Sequence, residues 1–302
     1  MDGSACSSLA LPQFCLGDGS SLDSGVSFGS RRPVVIFESG VGGLTVAKHI
    51  LKLMPNTDLL YVADNLWFPY GSKPGSAIAR RVKLLFDELR LLVNPQAIVV
   101  ACNTASVAIS NAGSAAEKGD CIRISPPVVE AAHLSLSKKI VILATSSTLE
   151  NSAIKDAIAA ERQHAAVWPI ASQIMVGLAE MKLAGGQVEV YKLAELVSKH
   201  LSDEERKSVD TVLLGCTHFP HLVEELRQVF PAALNWVDPA YHVALELQAR
   251  IEHQTSHTER PARLAAFTSV EGVREYSQVF LDNGFNQTKL SYKQHRAMVM
   301  ME

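Results

Sequence analysis

Two short stretches of this chain mirror each other, and together they constrain its fold more than any other feature. Ala101-Cys102-Asn103-Thr104 follows the apolar run Ala97-Ile98-Val99-Val100. Gly215-Cys216-Thr217-His218 follows Thr211-Val212-Leu213-Leu214. Each leads into a helix-compatible segment. Short apolar, β-branched runs bounded in this way read as buried strands. Each cysteine is therefore expected where a strand ends and a loop opens a helix. In open α/β sheets ligands bind at that place, and a helix N-terminus there can lower a thiol pKa from its free value of about 8.5. Two thiols in equivalent positions suggest one on each side of a single substrate.

The rest of the chain repeats the same alternation. Strands are expected at Val34-Val35-Ile36-Phe37, Leu59-Leu60-Tyr61-Val62, Val141-Ile142-Leu143, Val167-Trp168-Pro169-Ile170 and Leu264 to Phe267. Helical spacing marks Leu44 to Leu53, Ile78 to Val93, Ile174 to Leu183, Lys192 to Leu201, Leu222 to Phe230, Leu245 to Ile251 and Val273 to Leu281. His253 to Pro261 reads as a polar loop. Alternating short strands and longer helices argue for parallel βαβ units. Parallel strands are covered on both faces, which accounts for their unbroken apolar runs. The expected class is α/β, with two similar halves.

Residues 1–32 stand apart. They hold eight serines and five glycines, and lack the basic start and apolar core of a secretory signal. They read as a flexible extension. The 302 residues carry a formal net charge of −3, which gives no electrostatic reason to expect nucleic acid or an anionic membrane as partner. No apolar run approaches the ~20 residues of a membrane span. Five widely spaced cysteines, with no CxxC and no zinc-ligand spacing, do not form a disulfide or metal framework. A reducing cytoplasm fits them.

Three further motifs carry chemistry. Glu38-Ser39-Gly40-Val41-Gly42-Gly43 follows a strand and opens a helix, yet it fails the GxGxxG fingerprint and lacks a phosphate-loop Lys-Ser/Thr. It is either a tight turn that needs glycine or a set of backbone N–H groups suited to a carboxylate. Asp64-Asn65-Leu66-Trp67-Phe68-Pro69-Tyr70-Gly71 is either an aromatic loop packed on the core or a lid whose Tyr70 hydroxyl and Gly71 N–H touch a polar ligand. Each cysteine lies beside a hydroxyl, Thr104 or Thr217. Glu38 on the Cys102 side and His218 on the Cys216 side are placed to aid proton movement for each thiol. Cys121 has no such surroundings and reads as inert.

The stretches SGVGGLTV (Ser39–Val46), ADN..FPYG (Ala63–Gly71), VVACNTAS (Val99–Ser106) and LLGCTHFP (Leu213–Pro220) together resemble the aspartate/glutamate racemase superfamily, and within it the glutamate racemases. The resemblance runs from about residue 33 to 290. It implies two α/β domains, 33–128 plus 238–302 and 129–237, facing each other across the active site. It implies racemisation of glutamate without cofactor or metal, supplying D-glutamate for peptidoglycan, and family members commonly form homodimers. Cys102 and Cys216 take the places of the two thiols that act from opposite faces of the α-carbon. Glu38 and His218 take those of the assisting groups, and Glu180 that of a further acid near the second cysteine. Ser39, Tyr70, Gly71, Asn103, Thr104 and Thr217, with Glu38 and His218, fall on substrate-holding positions, and Thr145 and Thr148 add hydroxyls. The family usually carries Asp where this chain has Glu38, and the extra methylene reaches deeper.

The residues alone leave three alternatives open. One is a racemase acting on aspartate or another acidic amino acid. Another is a binding or regulatory homologue impaired at Glu38. The third is a thiol redox protein joining Cys102 to Cys216. The physical demand favours a racemase, and His218 beside Cys216 with the FPYG loop favours glutamate as its substrate. An amino-acid α-proton is a very weak acid, so its removal needs an enclosed site with fixed hydrogen-bond donors, and no lysine is marked for a Schiff base.

Overall fold

The computed structural model describes residues 15–16, 28, 32–113, 119–251, 260–269, 271 and 273–285. In chain order its elements begin with β1 (Cys15–Leu16), β2 (Val34–Glu38), α1 (Leu44–Leu53), β3 (Leu59–Ala63), α2 (Gly75–Val93), β4 (Ala97–Val100), α3 (Asn103–Ala112), β5 (Cys121–Arg123) and α4 (Val128–Leu134). There follow β6 (Lys139–Ala144), α5 (Ser146–Leu149), α6 (Ser152–Glu161), β7 (Ala166–Ala171), α7 (Ile174–Leu183), α8 (Val190–Ser198), α9 (Asp203–Ser208) and β8 (Thr211–Gly215). The last are α10 (Val223–Val229), β9 (Asn235–Val237), α11 (Ala240–Arg250), β10 (Arg263–Phe267) and α12 (Val273–Asp282).

The strands form two sheets, ordered β1-β10-β3-β2-β4-β5 and β7-β6-β8-β9. Every pairing is parallel except that of β1 with β10. The two halves share one topology. From β2 the chain moves to β3 on one side and then returns to β4 on the other; from β6 it moves to β7 and returns to β8. Such reversals open a crevice at the carboxyl ends of the flanking strands. Cys102 lies just past β4 and Cys216 just past β8, so each occupies the crevice of its own half.

Both faces of each sheet are buried, as the apolar runs require. Val35, Phe37, Leu60, Val62, Ile98 and Val100 pack into one cluster. Their neighbours Val34, Ile36, Leu59, Tyr61, Ala97 and Val99 pack into another, following the two-residue alternation of a strand. α2 lays Ile78, Val82, Leu85, Phe86 and Leu89 against the first of these, with Phe86 edge-on to Phe37 at 5.0 Å. It ends at Asn94 in the left-handed region, followed by Pro95. Val141, Leu143, Val212 and Leu214 bury one face of the second sheet, and Ile140, Ile142 and Leu213 the other. α11 and β10 return to the first sheet, where β10 pairs with β3.

Several elements differ from the sequence reading. β5 and β9 are three residues each, too short for a periodicity. α9 is polar throughout and is set by a capping box between Ser202 and Glu205. The expected helix from Leu222 begins as a 3-10 turn over Phe219–Leu222, with Pro220 in its first turn. Pro169 is tolerated because β7 is an edge strand. The reading of residues 1–32 as an extension apart from the fold is corrected at two points. Cys15–Leu16 pairs with the open edge of β10, and Phe28 is buried with the first core. The remainder of that stretch and most of the expected loop at His253 to Pro261 lie outside the described residues.

Candidate active site

The carboxyl ends of the central strands converge on one cavity. β2 ends in Glu38 and leads to Ser39; β4 delivers Cys102, Asn103 and Thr104. From the second half, β6 delivers Thr145, β8 delivers Cys216, Thr217 and His218, and the segment after β7 delivers Gln173. The loop Phe68-Pro69-Tyr70-Gly71 lies over it, with the Phe68–Pro69 peptide bond cis. Cys102 and Cys216 thus line the same cavity, each almost fully buried.

Around Cys102, Ser39 Oγ lies 3.7 Å from Sγ and donates 3.0 Å to Glu38 Oε1, which also accepts the Ser39 N–H at 2.9 Å. Glu38 is fully buried. Burial, and then the charge of Glu38, push the Cys102 thiol well above its ordinary range; the Ala105 N–H and Ser39 pull the other way. The protonated thiol is therefore the favoured form, with Glu38 hydrogen-bonded to it.

Around Cys216 the geometry is a relay. Sγ lies 3.8 Å from His218 Nδ1, and His218 Nε2 lies 2.7 Å from Glu180 Oε1. Glu38 Oε2 stands 3.8 Å from the same Nε2, so the longer side chain reaches the histidine of the opposite half. Burial disfavours a charged His218, but Glu38, Cys216 and Glu180 outweigh it and raise the ring's pKa well above the usual value. Burial alone would raise Glu180; hydrogen bonds from His218, Val41 N–H and Tyr276 bring it below the ordinary carboxylate range.

These groups meet because the loop after β2 carries glycines. None of Gly40, Gly42 and Gly43 adopts a positive φ. Turn conformation therefore does not explain them, and close approach does. A Cβ at Gly42 would stand 2.5 Å from His218 Nδ1, and one at Gly40 would overlap Glu180. Val41 N–H donates to Glu180 at 3.0 Å, and the Gly42 carbonyl lies 3.2 Å from His221 Nε2.

The positions expected to hold substrate divide. Thr104, Thr145 and Thr148 form a hydroxyl chain across the two halves, at 3.1 and 3.0 Å. Asn103 is buried, and neither its Nδ2 nor its Oδ1 has a hydrogen-bond partner, an arrangement that calls for a ligand. Ser39, Thr217 and Gly71 line the cavity. Tyr70 corrects one expectation. Its hydroxyl donates 2.7 Å to Asp64, which Arg81 and Thr268 also hold, so that proton is directed away from a ligand. Cys121 is half-buried beside Arg90 and Asp120, away from the cavity; burial and Asp120 push its thiol up to about 12. Among the described residues no cluster of His, Cys, Asp and Glu is placed to hold a metal ion. Gln173 and Val176, both lining the cavity, escaped the sequence reading. Their signal was the helical spacing of 173, 176 and 180 on α7.

A sequence profile described as Asp/Glu/Hydantoin racemase matches residues 45–244. The chain belongs to this racemase family. It is an amino-acid racemase by that membership and by its relatives. It is 33% identical over 235 residues to a glutamate racemase of Photorhabdus laumondii, covering 78% of this chain and 81% of that one. With a glutamate racemase of Brucella canis it shares 30% over 242 residues, covering 79% and 87%. The fold superposes on the Escherichia coli glutamate racemase in complex with L-glutamate and the activator UDP-MurNAc-Ala, at a TM-score of 0.75 and 32% identity, covering 84% and 96%. A Thermus thermophilus glutamate racemase in complex with β-chloro-D-alanine gives a TM-score of 0.66 at 26% identity, covering 88% and 97%. For a racemase, the two-sided cavity is the relevant feature: inversion requires a proton to leave one face of a carbon and arrive at the other.

Proposed function

We propose that this racemase interconverts L- and D-glutamate by a two-thiol mechanism without a cofactor. The observation that carries the reading is the pair of cysteines, at equivalent strand ends of two halves, lining one cavity with separate acid–base partners. The glutamate racemases among its relatives support the substrate.

In one direction Cys102 passes its proton to Glu38 and, as thiolate, removes the α-proton; Cys216, as thiol, protonates the opposite face with His218 behind it. In the other direction the roles exchange. Glu180 fixes the histidine ring and balances its charge. Asn103, the threonine hydroxyls and backbone N–H groups hold the amino acid's polar ends, and the buried site strengthens each of these contacts. The product serves peptidoglycan synthesis in the cytoplasm, and the working form is a homodimer.

The test is circular dichroism of purified protein with L-glutamate and D-glutamate in turn. Both solutions are expected to decay to zero rotation. Decay with aspartate and none with glutamate would move the substrate to aspartate. No decay with either would favour an impaired binding homologue.

A further inference from the structure

The stripe of α7 that carries Glu180 also brings Gln173 to the cavity. Gln173 is the N-cap residue, Val176 follows one turn on, and Glu180 one turn further, so all three lie on one helical face. Gln173 is half-buried and belongs to the second half, yet its Oε1 is seated against Gly71 of the first, where a Cβ would overlap it. Its carboxamide has no hydrogen-bond partner among the described residues. The carboxamide carries two N–H donors, and Gln173 lines the cavity.

The cavity needs such a donor. None of the residues lining it is Lys or Arg. His218, the lining ring whose pKa is raised, is already engaged by Cys216 and Glu180, so a substrate's side-chain carboxylate must draw on neutral donors, and a hydrogen bond to a charged group is the stronger kind. We propose that Gln173 Nε2 donates a hydrogen bond to the side-chain carboxylate of the bound amino acid, and that glycine at position 71 is what admits the carboxamide. This rests on the reading of the substrate as an acidic amino acid. Gln173 is then a substrate-contacting, specificity-determining residue that joins the two halves over the bound molecule.

The experiment compares Gln173→Leu with the wild type. Leucine keeps the bulk over Gly71 and removes the donor. Loss of one hydrogen bond to a charged group predicts a KM for glutamate raised about 10-fold, with kcat within about twofold, the signature of binding lost equally from ground and transition states. An unchanged KM would overturn the proposal and leave Gln173 a packing residue. Gly71→Ala is the second variant. It displaces the carboxamide, so it raises KM as well, and adding Gln173→Ala on top costs nothing more; full additivity would contradict the shared contact. If the wild type racemises no acidic amino acid, the functional reading fails by itself. Calorimetric titration of D-glutamate into wild type and Gln173→Leu then reads the contact without turnover, and equal Kd values would overturn it.

Discussion

Glu38 is the residue on which the two acid–base centres meet. It is hydrogen-bonded to the Cys102 thiol and stands 3.8 Å from His218 Nε2. Its charge acts upward on both pKa values, against the acidity of Cys102 and in favour of a charged His218. Glu38→Gln keeps the shape and removes the charge, so both should move down. Alkylation of Cys102, followed by mass spectrometry against pH, is expected to begin at lower pH in the variant, and the His218 ring, followed by NMR, to lose its proton at lower pH. An unmoved His218 would show that the two centres are independent. His221 illustrates the opposite sign. Burial lowers its pKa to about 4, whereas the unfolded chain protonates it near 6.5. Its contribution to stability is complete above that value and is lost as pH falls from about 6.5 towards 4, amounting to roughly 3 kcal/mol. Urea unfolding at pH 7 and pH 5 should therefore show a smaller loss for His221→Gln than for the wild type. Most site residues were legible because they sit beside the cysteines or directly follow a strand. Gln173 was not, because its helical spacing from Val176 and Glu180 was its one signal, and the partner it covers, Gly71, lies in a distant segment. The hydroxyl of Tyr70 was misjudged for a related reason: Asp64, Arg81 and Thr268 come from separate segments, and only the fold brings them to it.

At the scale of elements, the loop from β2 to α1 is the one with least tolerance. It joins the first half to Glu180, His218 and His221 of the second through bare backbone. Gly42→Ala places a Cβ 2.5 Å from His218 Nδ1, and the ring must move. A displacement near 1 Å at a catalytic group costs about 100-fold in rate. The variant is expected to lose kcat/KM by at least about that factor while its thermal unfolding stays close to wild type, and full activity would show that His218 does not need this position. The strands and the long helices were readable because their burial imposes a period, as with Ile78, Val82, Leu85, Phe86 and Leu89 on α2. α9 was hidden because a capping box and charged residues, rather than an apolar face, define it. β1 was hidden inside a Ser/Gly-rich stretch, because an edge strand of two residues draws its stability from β10 and not from its own composition.

At the scale of the molecule, two sheets that share a four-strand order, β3-β2-β4-β5 and β7-β6-β8-β9, each open a crevice, and each crevice holds one thiol. The sequence hinted at this duplication only through a strand, a cysteine and a threonine; the order in which strands cross within each sheet is a tertiary property that no local pattern encodes. The central claim is that each half supplies one base, acting on one face of the α-carbon. The measurement that tests it most directly is NMR of the α-proton in D₂O for Cys102→Ser and Cys216→Ser, with each glutamate enantiomer supplied separately. The account predicts that neither variant racemises, and that each still exchanges the α-proton of a single enantiomer without inversion, a different enantiomer for each variant. Racemisation surviving in either variant, or exchange of the same enantiomer by both, would contradict it.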